Sequence, residues 1–147
     1  MNYSTAFAIS ASGMSVEKTR LEVTAVNLAN IHSTRTTEGG PFKPLRVVSG
    51  EGVISSFSDV FDATANASSL RGAQVIAIEA TDTPPRMVHE PTHPDADAKG
   101  FVAYPGINHV GEMVNLVTAV RTYEANVVAM NAAKTMALKA LDLGGAS

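Results

Sequence analysis

The stretch from Ile107 to Leu143, INHVGEMVNLVTAVRTYEANVVAMNAAKTMALKALDL, constrains this chain more than any other. It holds no proline and one internal glycine, Gly111. Alternate steps of four and three residues pick out His109, Met113, Leu116, Val120, Tyr123, Val127, Met130, Lys134, Ala137 and Leu141. Most of these are apolar or aromatic, and that spacing is a coiled-coil seam. A helix over Val110–Asp142 would be roughly 50 Å long at 1.5 Å per residue. A rod of that length in a 147-residue chain needs a partner along much of its surface.

The amino terminus offers one. Ser4–Asn30 reads as a second helix, with Ser4 or Thr5 able to cap its start and Asn30 suited to a left-handed stop. Phe7, Ala11, Met14, Lys18, Leu21, Ala25 and Leu28 repeat the four-three spacing. Gly13 weakens this helix by about 1 kcal/mol against alanine, and it permits either close packing or a bend. Lys18 and Lys134 sit on the two seams, where the preferred reading is a long stem along apolar surface with its head in water, and the alternative is a polar position that sets the register. The simplest account pairs the two terminal segments as an antiparallel coiled coil.

That pairing leaves surface unexplained. Residues 1–31 carry only Glu17, Lys18, Arg20 and Glu22 as charges, and residues 107–147 only Glu112, Arg121, Glu124, Lys134, Lys139 and Asp142. A helical hairpin alone in water usually has a densely charged outer face. Here those positions hold residues such as Val23, Val26, Val114, Val117 and Val128. Helices apolar on several sides expect neighbours on several sides, so the termini are expected to join other subunits. Phe7, Met14, Leu21, Leu28, Leu116, Val120, Tyr123, Val127 and Met130 are the expected packing residues. Asn27, Asn30, Asn126 and Asn131 are expected to hydrogen-bond between subunits, where buried charges would be costly.

Between the helices the composition changes. Ile31–Pro44 is a loop, with Ser/Thr clusters followed by Gly39-Gly40-Pro41. Strands are expected at Phe42–Ser49, Ala73–Ala80, Arg86–His89 and Gly100–Tyr104. Gly50–Gly72 has the character of a surface insertion and contains an Asn66-Ala67-Ser68 triplet. The expected class is therefore α+β, with residues 1–33 and 106–147 forming a helical domain. Residues 34–105 form a small β-rich module, with the insertion at about 50–72.

Chemistry is hard to find. The chain has no cysteine, which removes disulfides, thiolate metal sites and thiol nucleophiles. A net charge of −3 gives no footprint for nucleic acid. No apolar run is long enough to span a bilayer, and the first residues lack the basic and apolar regions of a cleaved signal. His89, His93, Asp95 and Asp97 are the best metal-like group, yet Pro91 and Pro94 prevent the helical spacing that would aim both histidines at one ion. A rigid turn with solvated side chains is the preferred reading, and a small metal-binding protein using His89 and His93 is the alternative. Glu124 lies three residues from Arg121, where an ion pair on one helix face is simpler than acid–base catalysis. No catalytic residue, cofactor or metal is expected, and the chain is not read as an enzyme.

Ser12-Gly13-Met14, Arg20-Leu21-Glu22 and Asn27-Leu28-Ala29-Asn30, followed by Gly39-Gly40-Pro41, resemble the amino-terminal signature of bacterial flagellar rod and hook proteins. Met14 and Glu22 replace the more usual leucine and aspartate. The segments PDADAKGFVAYPGIN and EMVNLVTAVRTYEANVVAMNAAKTMALKALDLG extend the resemblance, which covers about residues 4–48 and 73–144. The resemblance implies a structural subunit of the proximal rod, carrying torque across the periplasm within the basal body. It implies export by the flagellar type III apparatus without a cleaved signal, terminal helices in the tube wall and a β-rich part outside. The implied partners are copies of itself, the B-type, F-type and G-type rod proteins, the membrane-ring adaptor FliE and the export apparatus. Neither nucleic acid nor a small-molecule substrate is implied. PDADAKGFVAYP favours one proximal-rod type over another axial protein such as the B-type rod protein, which stays the alternative.

Overall fold

The structure is a computed structural model and describes residues 3–52 and 71–145. Most of the expected insertion, with Asn66-Ala67-Ser68, lies outside the described residues. The order of elements is α1 (Tyr3–Ala29), β1 (Leu45–Glu51), β2 (Ala73–Ala80), β3 (Arg86–His89), β4 (Phe101–Tyr104) and α2 (His109–Gly145). The class is α+β, with two long helices and two small sheets, one of β1 and β2 and one of β3 and β4.

The helix ends follow local hydrogen-bond chemistry. Asn108 caps α2: its Oδ1 accepts from the Gly111 N–H at 3.1 Å, satisfying a donor the first turn leaves free. Glu112 then places a carboxylate in that turn, where the helix dipole favours negative charge. At the end of α1, Asn30 does not take the expected left-handed conformation, since positive φ among the described residues is confined to Gly39, Gly40 and Gly100. Its side chain closes the helix instead. The Asn30 Nδ2 donates to the Val26 carbonyl at 2.9 Å, and its Oδ1 accepts from the Ser33 hydroxyl at 3.0 Å.

The β1–β2 pair is antiparallel, because the Thr81 N–H donates to the Pro44 carbonyl near one end and the Gly52 N–H to the Gly72 carbonyl at the other. Proline supplies no donor at position 44, so β1 begins after it. β3 and β4 are antiparallel with Arg86 opposite Tyr104 and His89 opposite Phe101. The intervening segment folds as tight turns, ending on Gly100 with φ of 78°. A side chain there would also meet His89 and Pro91, so glycine is needed on both counts.

The chain divides into two compact units. One comprises residues 1–19, 49–76 and 119–147; its buried apolar residues are Val16, Ala119 and Ala133. The other comprises residues 20–48 and 77–118 and buries Val23, Val102, Tyr104 and Pro105. These interiors are small, in keeping with the low aromatic content of 5%.

Candidate assembly surfaces

The least exposed line of α1 lies one residue before the apolar line expected from sequence, whereas that of α2 overlaps the expected line. On α1 it passes through Ser10, Gly13, Glu17, Thr24 and Asn27, with Val16 and Val23 beside it. On α2 it passes through Glu112, Leu116, Ala119, Asn126, Met130, Ala133 and Ala137. Small and polar residues thus occupy the inner line of α1 and much of that of α2, where Leu116 and Met130 join them. Glycine and alanine let a neighbouring backbone approach closely, and the apolar residues beside them are left partly uncovered.

Two contacts show how this works. In the first unit, a Cβ on Gly13 would lie 2.9 Å from the Asn126 Nδ2, so Gly13 leaves room for the α2 carboxamide. In the second unit, Asn27 is only 2% exposed. Its Oδ1 accepts from the Leu45 N–H at 2.8 Å, and its Nδ2 donates to the Leu45 carbonyl at 2.8 Å. The same Nδ2 donates to the Glu112 carboxylate at 3.2 Å. Backbone groups alternate sides along a strand. Pro44 faces β2, so Leu45 faces away, and the Asn27 carboxamide takes the place of a third strand. Asn27 was expected to bond between subunits; its polar atoms are engaged within this chain, joining α1, β1 and α2.

Phe7, Met14, Leu21, Leu28, Asn30, Leu116, Val120, Asn126, Val127 and Met130 are half-buried, whereas Tyr123 and Asn131 are exposed. The clearest outward surface of α2 is a line of valines opposite its buried face. Val110 is 69% exposed and Val128 68%, with Val114 and Val117 between them also exposed. Met136, Leu138, Leu141 and Leu143 continue the apolar exposure towards the end of the helix. Covering one such side chain is worth about 1.5–3 kcal/mol, so the line favours association.

The histidines of HEPTHPDAD separate. His89 packs edge-on against Phe101 at 5.1 Å between ring centroids, and His93 lies 6.3 Å from the Tyr104 ring. Among the described residues no group of three or more His, Asp or Glu is placed to hold a metal ion. Tyr104 gathers a denser cluster than the sequence suggested. His32 meets its ring edge-on, and the Arg86 guanidinium lies 5.5 Å from its centroid. Its hydroxyl donates to the Glu90 carboxylate at 3.0 Å. That hydrogen bond, with burial and the Glu90 charge, raises the phenol above its ordinary range, and Arg86 opposes the shift. No sequence pattern pointed to Tyr104; its pairing with Arg86 across β3 and β4 becomes visible only with the register.

Long terminal helices with uncovered apolar faces, carrying a small β-rich middle, suit an assembling subunit. Residues 98–143 match the family described as "Flagellar basal body rod FlgEFG protein C-terminal", which sets the class as a flagellar axial protein. The chain is 39% identical over 141 residues to the flagellar basal-body rod protein FlgC of Bacillus subtilis, covering 92% of this chain and 94% of that one. It is 37% identical to FlgC of Salmonella typhimurium, covering 94% and 95%. FlgC of Borreliella burgdorferi is 32% identical, with 90% and 91% covered. The chain belongs to the FlgC family of flagellar basal-body rod proteins.

Proposed function

We propose that the chain serves as a structural subunit of the proximal part of the flagellar rod and transmits torque through packed helices. The exposed valine line of α2 is the observation that carries this reading: apolar side chains on a long helix are held ready for a neighbour. Many shallow contacts spread along a helix resist slipping under torque better than one compact joint. Within the subunit, α1 and α2 form an antiparallel coiled coil. The support is that Gly13 faces Asn126 and Asn27 faces Glu112, so an advance of fourteen residues along α1 matches a retreat of fourteen along α2. The helical segments 1–33 and 106–147 act as the assembly domain and residues 34–105 as the outer module.

In this reading the neighbours are further copies and the B-type, F-type and G-type rod proteins, with the adaptor FliE at the membrane ring. The chain reaches them through the flagellar type III export apparatus. The interfaces would use Phe7, Met14, Leu21, Leu28, Leu116, Val120, Tyr123, Val127, Met130 and Asn131, together with the outward valines.

The test is a pair of substitutions on the outward face, Val114→Asp and Val128→Asp. Both should leave the monomer's circular dichroism and export unchanged while abolishing incorporation into basal bodies and swimming. Normal swimming by the double variant would remove the support for this face as an interface.

A further inference from the structure

The turn after β3 contains a device that the assembly reading does not use. The His93 N–H donates to the Glu90 carbonyl at 3.1 Å and the Ala96 N–H to the His93 carbonyl at 3.0 Å, closing consecutive turns. Inside them the Asp95 N–H donates to His93 Nδ1 at 3.1 Å. An imidazole nitrogen can accept only while it carries no proton. The Asp95 carboxylate meanwhile holds the loop that follows α1. Its Oδ2 accepts from the Thr34 hydroxyl at 2.9 Å, and its Oδ1 lies 3.6 Å from the Arg35 guanidinium. That loop leads to the exposed turn Thr36–Gly40, closed by the Thr36 N–H donating to the Gly40 carbonyl at 2.9 Å.

We propose that His93 and Asp95 form an acid-sensitive latch on the loop 34–41. With His93 neutral, its Nδ1 fixes the Asp95 backbone and thereby aims the carboxylate at Thr34 and Arg35. A proton on Nδ1 sets two donors against each other and removes the acceptor. Loss of that hydrogen bond frees the Asp95 backbone and loosens the loop.

The surroundings contribute opposing charges. The charged groups nearby are Glu90 on the approach from β3, Asp95 itself, Arg86 of β3 and Arg35 of the latched loop, and His32 is a second imidazole on Tyr104. Histidine is the side chain whose charge changes within the pH range that cells meet.

Nuclear magnetic resonance of the full chain between about pH 8 and about pH 5 tests the latch. The Asp95 and Thr34 amides should move with the same midpoint as the His93 ring. Exchange at the Asp95 amide, corrected for its intrinsic rate, should accelerate about tenfold, as for loss of one ordinary hydrogen bond. His93→Asn is the decisive variant. Its side-chain oxygen can accept the same i+2 N–H as an Asx-turn but cannot titrate, so the loop should stay latched at both pH values. His32→Asn should retain the wild-type response. If the His93 ring titrates in the wild type while the Asp95 and Thr34 amides stay fixed, the proposal fails, whatever the variants do. It fails equally if folded His93→Asn responds like the wild type.

Discussion

Asn27→Ala should be the most damaging small change in the helical part of this chain, and its cost can be worked from the geometry. The Asn27 carboxamide satisfies both backbone groups of Leu45 and donates to Glu112. Truncation leaves the Leu45 N–H and carbonyl facing the gap on the open edge of β1, and the carboxylate loses a donor. An unsatisfied buried polar group costs about 1–3 kcal/mol. Leu45 and Glu112 are half-buried, so water entering the gap recovers part of the loss. A net destabilisation of about 2–4 kcal/mol results, a large share of a typical 5–15 kcal/mol total. Urea unfolding monitored by circular dichroism should show the midpoint falling at unchanged slope, and Tm should drop by roughly 10 °C. Asn27→Asp should be worse at neutral pH, because it turns a donor into a second carboxylate against Glu112. A loss below about 0.5 kcal/mol for Asn27→Ala, the range of an indifferent surface change, would refute this account of Asn27.

Gly72→Ala should destabilise by about 1–3 kcal/mol, because its Cβ would strike the Ser12 side chain, whose hydroxyl accepts from the Ala73 N–H at 3.0 Å. Adding Ser12→Gly should recover part of that loss in thermal melts. Gly13→Ala sets a helix-propensity gain of about 1 kcal/mol against crowding of Asn126. The double variant Gly13→Ala/Asn126→Ala should therefore melt higher than Gly13→Ala alone. Tyr104→Phe tests the raised phenol. The folded state holds that proton more tightly, so the contribution is present below the ordinary range of about 10 and is lost as pH climbs through the raised value. The wild type should lose stability at alkaline pH more steeply than Tyr104→Phe.

Much of the architecture was legible because it rests on local signals. Proline and glycine punctuation delimits Ala73–Ala80 and Arg86–His89 as the structure has them, and the proline-free heptad run becomes α2. The β1 strand begins later than expected because Pro44 cannot donate to a ladder. What sequence could not resolve is which of two adjacent lines of α1 turns inward. The apolar line runs through Met14 and Leu21. Gly13 permits close approach and Asn27 bonds Glu112, so on α1 the inner line is the smaller and more polar one, while on α2 Leu116 and Met130 lie on the less exposed line. The role of Asn27 as an internal pin was hidden too, since an asparagine on a helix with few charges reads as a group meant for a neighbouring subunit. The apolar residues beside the inner line of α1, Phe7, Met14, Leu21 and Leu28, are half-buried.

Electron microscopy of basal bodies from a strain lacking this gene tests membership of the rod most directly. Membrane rings should persist without a rod, with the rod restored by the wild-type chain and not by the Val114→Asp/Val128→Asp variant. Complete rods and normal motility in the deletion strain would contradict it.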